Sequence, residues 1–190
     1  MVEATHQDRE LAIEILAQSF QDNLSVNYLI PQDSKRMQRI RELMAYSFDL
    51  CTLYGKAVLS ENKKACALVI FPDLKRTSVQ SLLLSGRLIF KAMGIGNIGK
   101  ALSRENQVAQ NHPSTPIYHL WFLGVLPESQ GRGIGGKLLD ELLADAVRMN
   151  RSVYLETSTL RNISWYEGHG FSIYGKILLS YTLYLMRNNT

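Results

Sequence analysis

Apolar residues recur along the first third of the chain at intervals of three and four. Leu11, Ile13, Ile15, Leu16 and Phe20 fit one face of a helix over residues 8 to 20, with Asp8 placed as its N-cap. A shorter helix through Leu24, Tyr28 and Leu29 stops at Pro31, which cannot donate a helical hydrogen bond. From Ser34 to about Leu53, Met37, Ile40, Leu43, Met44 and Phe48 share a face opposite Lys35, Arg36, Arg39 and Arg41, and Gly55 ends the run. The period then shortens. Ala57 to Leu59 and Ala65 to Phe71 are apolar runs separated by Glu61-Asn62-Lys63-Lys64, which predicts an antiparallel hairpin closed by Pro72. Residues 76 to 110 read as two helical pieces joined at Gly94-Ile95-Gly96-Asn97-Ile98-Gly99.

After the loop Asn111 to Pro116 the pattern becomes strand, loop, helix, and then repeats. Ile117 to Val125 is an apolar strand, Pro127-Glu128-Ser129 a turn, and Gly133 to about Met149 an amphipathic helix with Leu138, Leu139, Leu142, Leu143 and Val147 inward. A strand over Ser152 to Thr157, a short helix from Asn162 to Gly168, and strands Phe171 to Lys176 and Tyr181 to Met186 complete it. Strands and helices mixed in this order predict an α/β (α+β) fold, and 190 residues suit a single domain, 1–190, with 73–116 as a helical insertion.

Composition excludes more than it selects. Charged residues at 20% and hydrophobic residues at 46% fit a folded globular chain. The net charge of +4 favours approach of an anionic ligand, but the basic residues are scattered and form no stripe with aromatics, so no nucleic-acid partner is expected. The apolar run Leu82 to Phe90 is interrupted by Ser85, Gly86 and Arg87 and falls short of the roughly 20 residues that span a bilayer, so no membrane partner is expected. Cys51 and Cys66 lack the spacing of a disulfide framework or zinc site and read as buried thiols; no metal is expected. Residues 1 to 8 lack the regions of a secretory signal, which places the chain in the cytoplasm. Monomer and homodimer both remain open.

The chemistry concentrates in Gly131-Arg132-Gly133-Ile134-Gly135-Gly136, between a strand and a helix. Glycines let main chain approach a ligand, and the first turn of a helix offers unpaired N–H groups and a positive dipole end, which together suit a diphosphate. Gly131 to Lys137 nearly spells the P-loop of nucleoside triphosphatases, but Leu138 stands where magnesium needs a hydroxyl. Gly94-x-Gly96-x-x-Gly99 has the letters of a dinucleotide fingerprint without its preceding strand, and reads as a helix joint.

The segment Val125-x-Pro127-x-x-Gln130-Gly131-Arg132-Gly133-Ile134-Gly135-Gly136-Lys137-Leu138-Leu139 resembles the acyl-CoA motif of the GNAT superfamily of N-acetyltransferases, Arg/Gln-x-x-Gly-x-Gly/Ala. The likeness continues through Tyr154-Leu155-Glu156-Thr157, Asn162 and Trp165-Tyr166-Glu167-Gly168-His169-Gly170-Phe171, and covers about residues 117 to 186. The tract 73–116 is similar, more loosely, to enzymes of the puromycin acetyltransferase kind. In the family's order a strand precedes the first helix, and only about seven residues are available for it here.

The resemblance implies a mixed, mostly antiparallel sheet with helices on both faces and a splayed parallel strand pair that holds acyl-CoA. It implies an acetyl-CoA-dependent transfer to a primary amine of a small molecule, with acetyl-CoA as co-substrate. Two alternatives are a non-catalytic acyl-CoA sensor and a protein N-acetyltransferase. Gln130, Gly131, Arg132, Gly133, Ile134, Gly135 and Gly136 would hold the diphosphate, with Lys137 a further possible phosphate partner; Leu123 and Val125 would pair with the pantetheine amides, and Asn162 would touch CoA or cap its helix. Gly124 is the expected bulge that opens the strands. Tyr166 falls at the family's general acid. For the proton acceptor, Glu156 at the C-terminal end of its strand stands ahead of His119 on the neighbouring one.

Overall fold

A computed structural model describes residues 1–188. In chain order the elements are β1 (Val2–Glu3), α1 (Arg9–Phe20), α2 (Leu24–Leu29), α3 (Arg36–Tyr54), β2 (Gly55–Leu59), β3 (Ala65–Ile70), α4 (Val79–Leu88), α5 (Ile98–Asn111), β4 (Tyr118–Val125), α6 (Ile134–Arg148), β5 (Val153–Thr157), α7 (Leu160–Gly168), β6 (Ser172–Leu178) and β7 (Thr182–Asn188). Among the described residues no helix is long and apolar enough to cross a membrane.

The strands form one sheet in the order β1-β2-β3-β4-β5-β7-β6, and only β4 and β5 run parallel. The strand expected before the first helix exists, but as two residues, Val2 and Glu3, set against Leu59 and Val58. Alternation along β3 divides the core: Cys66, Leu68 and Ile70 face α1 and α3, while Ala65, Ala67 and Val69 face α6. Both cysteines are free and buried.

Several local expectations shift. The Asp8 carboxylate does not cap α1; it accepts from Thr5 and from Lys63, closing the tight turn His6–Asp8 that precedes the helix. Thr159, not Asn162, precedes α7, and Asn162 lies in its first turn with its N–H bonded to the Thr159 carbonyl. Val147 points outward at 57% exposure. Gly94-x-Gly96-x-x-Gly99 is the joint foreseen. A π-helical turn, Ile89–Met93, ends at Gly94, whose φ of +73° turns the chain into α5, and no strand precedes it.

The irregularity in β4 lies three residues before its expected place. Leu68 pairs with Phe122 and Val69 with Leu120, so Trp121 is the extra residue and Gly124 pairs regularly with Cys66. One inserted residue reverses the alternation beyond it. Tyr118 and Leu120 face α6, whereas Phe122 faces α1 and α3, with Trp121 beside it at a ring separation of 5.4 Å. Gly124 serves packing instead. A Cβ there would lie 2.8 Å from Ser19 Oγ and 3.2 Å from Leu16 Cδ2. Gly124→Ala should therefore push α1 off the sheet at a cost of roughly 1–3 kcal/mol, seen as a lower urea midpoint at unchanged m-value; an unchanged midpoint would show that α1 yields freely.

Candidate active site

β4 and β5 pair only at Tyr118–Val153 and His119–Tyr154, and diverge from there. The opposite edge of β4 stays on β3 as far as Leu126, whose N–H reaches the Lys64 carbonyl at 2.9 Å. Main-chain polar groups alternate sides in an antiparallel ladder, so those of Leu123 and Val125 turn to the open edge. Two side chains meet the Val125 carbonyl from outside the ladder: Ser19 Oγ donates at 2.9 Å and Gln130 Nε2 at 3.1 Å.

The glycine loop closes one end of this gap. Gly131 and Gly133 have φ of +73° and +75°, a backbone that side-chain-bearing residues resist, and nothing lies within 4 Å of where their Cβ atoms would be. Gly133 caps α6 without a side-chain bond, and Lys137 is the first residue to close a helical hydrogen bond, to the Gly133 carbonyl at 3.0 Å. The N–H groups of Ile134, Gly135 and Gly136 are left for a ligand. Gly135 serves packing, since a Cβ would meet Val125 Cγ2 at 3.2 Å.

Loop and gap form one cleft of about 710 Å³ that passes through the sheet. It is lined by Leu123, Gly124, Val125, Gln130, Gly131, Gly133, Ile134, Gly135, Gly136, Asn162 and Tyr166. Arg132 is exposed and does not line it. Lys137 is held by Glu61 at 2.9 Å, and Leu138 is buried in the core, so the near P-loop has neither a free lysine nor a metal-binding hydroxyl. Tyr166 is buried on the α6 face, and burial pushes its phenol up, so the hydroxyl keeps its proton. Ser129 is a residue that sequence reading passed over: it is buried, lines the cleft, and its Oγ has no partner among the described residues.

On the other face, Glu156 and His119 are brought together. His119 Nε2 lies 2.9 Å from Glu156 Oε2, and His112 Nε2, from the loop after α5, lies 3.2 Å from Oε1. The Glu156 side chain is 4% exposed. Burial alone would raise its pKa, but the charge of His119, hydrogen bonds from both imidazoles and the Arg104 guanidinium hold it far below the usual carboxylate range. Burial likewise opposes charge on His119, and the Glu156 carboxylate outweighs it, raising the imidazole above 6.5. An ionised carboxylate only accepts, so both histidines present Nε2–H to it, and His119 in its neutral form keeps Nδ1 as an acceptor. These three side chains, with ligand atoms within 4.8 Å of one another, are also a donor set of the kind that holds a divalent cation.

A splayed parallel pair beside an uncapped glycine-rich helix start suits a pantetheine arm and its diphosphate. The model of the acetyltransferase (GNAT) domain matches residues 90–173, which contain both. The chain carries a GNAT acetyltransferase domain. It is an acyltransferase that uses acetyl-CoA. Its fold is shared with an acetyltransferase from Corynebacterium glutamicum, described as histone acetyltransferase HPA2 and related acetyltransferase, at 19% identity and a TM-score of 0.70 over 98% of this chain and 93% of the other. Arylalkylamine N-acetyltransferase 2 from Aedes aegypti matches at 15% identity and a TM-score of 0.64 over 98% and 96% of the two chains. An N-acetyltransferase from Staphylococcus aureus Mu50 matches at 16% and 0.56 over 98% of both. At these identities the likeness is one of fold.

Proposed function

We propose that this GNAT enzyme transfers acetyl from acetyl-CoA directly to a primary amine of a small molecule. The observation that carries the reading is a buried carboxylate with two imidazoles, Glu156 with His119 and His112, where β4 leaves β5 and the cleft opens. Leu123 and Val125 offer main-chain groups to the pantetheine amides; Gln130, Gly131, Gly133, Ile134, Gly135 and Gly136 surround the diphosphate. Arg132 adds charge near it, and Asn162 and Tyr166 line the far wall. The amine nitrogen attacks the thioester carbon, the carbon–sulfur bond breaks, and the Tyr166 hydroxyl gives its proton to the departing sulfur. Glu156, with its low proton affinity, orients His119 and stabilises its charged form, while His119 Nδ1 takes the proton from nitrogen. A bounded pocket of about 520 Å³ behind His119 and Trp121 supports a small acceptor over a polypeptide.

Tyr166→Phe tests the role of the phenol. Turnover should fall by about 10²-fold or more, with the Kd of acetyl-CoA nearly unchanged, because the hydroxyl acts only as sulfur leaves. Wild-type turnover in this variant would remove Tyr166 from the reaction.

A further inference from the structure

Three spaces lie side by side beneath the insertion, each sharing lining residues with the next. The first, of about 520 Å³, lies between α3, the α4–α5 tract and β4, with aliphatic and aromatic walls that include Leu43, Tyr46, Leu50, Leu88, Met93 and Trp121. It opens at a rim of exposed residues, among them Leu102, Asn106 and Ala109. The second, of about 70 Å³, shares Leu29, Leu43, Glu105 and Trp121 with the first, and adds Glu156, Arg104 and Ser158. The third is the acetyl-CoA cleft, which shares Phe20 and Asn23 with the second. An apolar chamber thus adjoins a small polar one, which in turn adjoins the cleft where the thioester belongs.

The polar chamber is built for a donor. Ser158 is 8% exposed and its Oγ has no partner among the described residues. Arg104 is already committed, to Glu105 at 2.7 Å and Ser25 Oγ at 3.1 Å. With His119 in the neutral form that can accept a proton, two carboxylates, Glu105 and Glu156, against one guanidinium leave an excess of one negative charge, which attracts an ammonium group and repels a carboxylate. Apart from Glu105, which it shares with the polar chamber, the apolar chamber is lined by no carboxylate for a second ammonium, and its walls are mostly apolar side chains that give peptide amides little compensation for lost water.

Resting on the acetyl-transfer reading above, we propose that the acceptor is a monoamine on a compact apolar body, seated beneath the insertion with its nitrogen where the chamber of Glu156 and Ser158 meets the apolar one that His119 lines. Amino acids, polyamines and peptide N-termini are disfavoured by charge or by unpaired amides.

Thiol release from acetyl-CoA, measured with 2-phenylethylamine, hexylamine, phenylalanine, spermidine and a tetrapeptide with a free N-terminus, tests this. The two simple amines should exceed the other three in kcat/KM by at least about 10²-fold, the scale set by burying an uncompensated charge. Ala109→Trp at the exposed rim, and Ala101→Phe deeper in, should each raise the KM for 2-phenylethylamine about tenfold or more and leave the Kd for acetyl-CoA unchanged. The rim variant lies outside the core, so it reports even if the deeper one misfolds. Phenylalanine, spermidine or the tetrapeptide matching 2-phenylethylamine would overturn the acceptor class alone. So would an unmoved KM in Ala109→Trp. Absence of thiol release with all five, while acetyl-CoA binds, would overturn the transfer reading and this inference with it.

Discussion

Glu156→Gln lowers kcat by about 10²–10⁴-fold, the range over which a positioned acid–base group accelerates proton transfer, while the Kd for acetyl-CoA stays within about twofold of the wild type. The glutamine keeps the shape of the side chain but loses its charge. His119 is then buried without the carboxylate that raises its pKa, and burial, which opposes the charged form, is left to act. The sign follows. Below its pKa, His119 is protonated and cannot accept, so in the wild type the rate falls as pH drops through a value above 6.5. In Glu156→Gln that acid limb moves to lower pH although the plateau is slower. Measuring both proteins with one acceptor cancels the amine's own ionisation. Arg104, Glu105 and His112 surround the pair in both proteins, so their effect is common to the two profiles. A plateau that drops with an unmoved limb would leave Glu156 a structural residue.

Gly133→Asp weakens acetyl-CoA binding by roughly 10²-fold. A carboxylate within about 4 Å of a phosphate costs up to ~4 kcal/mol at an effective dielectric of 20, and exposure of the loop reduces that figure. Space is free where the new Cβ would lie, and Asp tolerates positive φ better than most residues, so the fold should lose only about 1 kcal/mol. Gly133→Asn carries the same backbone strain without the charge and should lose distinctly less affinity. Isothermal titration and a thermal melt on each variant separate binding from stability. Wild-type affinity in both variants, with melting temperatures intact, would mean that the start of α6 does not grip the diphosphate.

The features legible in the sequence are those fixed by neighbours along the chain. The helix and strand periods, the loop at Gly131 to Gly136 and the end of β5 at Glu156 all follow from local pattern and backbone chemistry. Trp121 was invisible because one extra residue inside a continuous apolar run disturbs no pattern; Gly124, the better-looking bulge, is small because α1 lies against it. His112 was missed for another reason. It reaches Glu156 across 44 positions, a contact decided by how the insertion docks rather than by any spacing. A histidine next to a proline in a polar loop carries no mark of burial, and the signal available was its return toward the strand bearing His119.

Because the cleft runs through the sheet, the atom that gains a proton in the proposed reaction and the atom that loses one sit on opposite sides of a wall. His119 and Tyr166 share no hydrogen-bonded chain among the described residues. Each cycle would leave an imidazolium on one side and a phenolate on the other. The ledger is balanced only when water carries the difference around the rim, which makes the recharging of the enzyme a separate event from acyl transfer and ties it to solvent access after CoA has left.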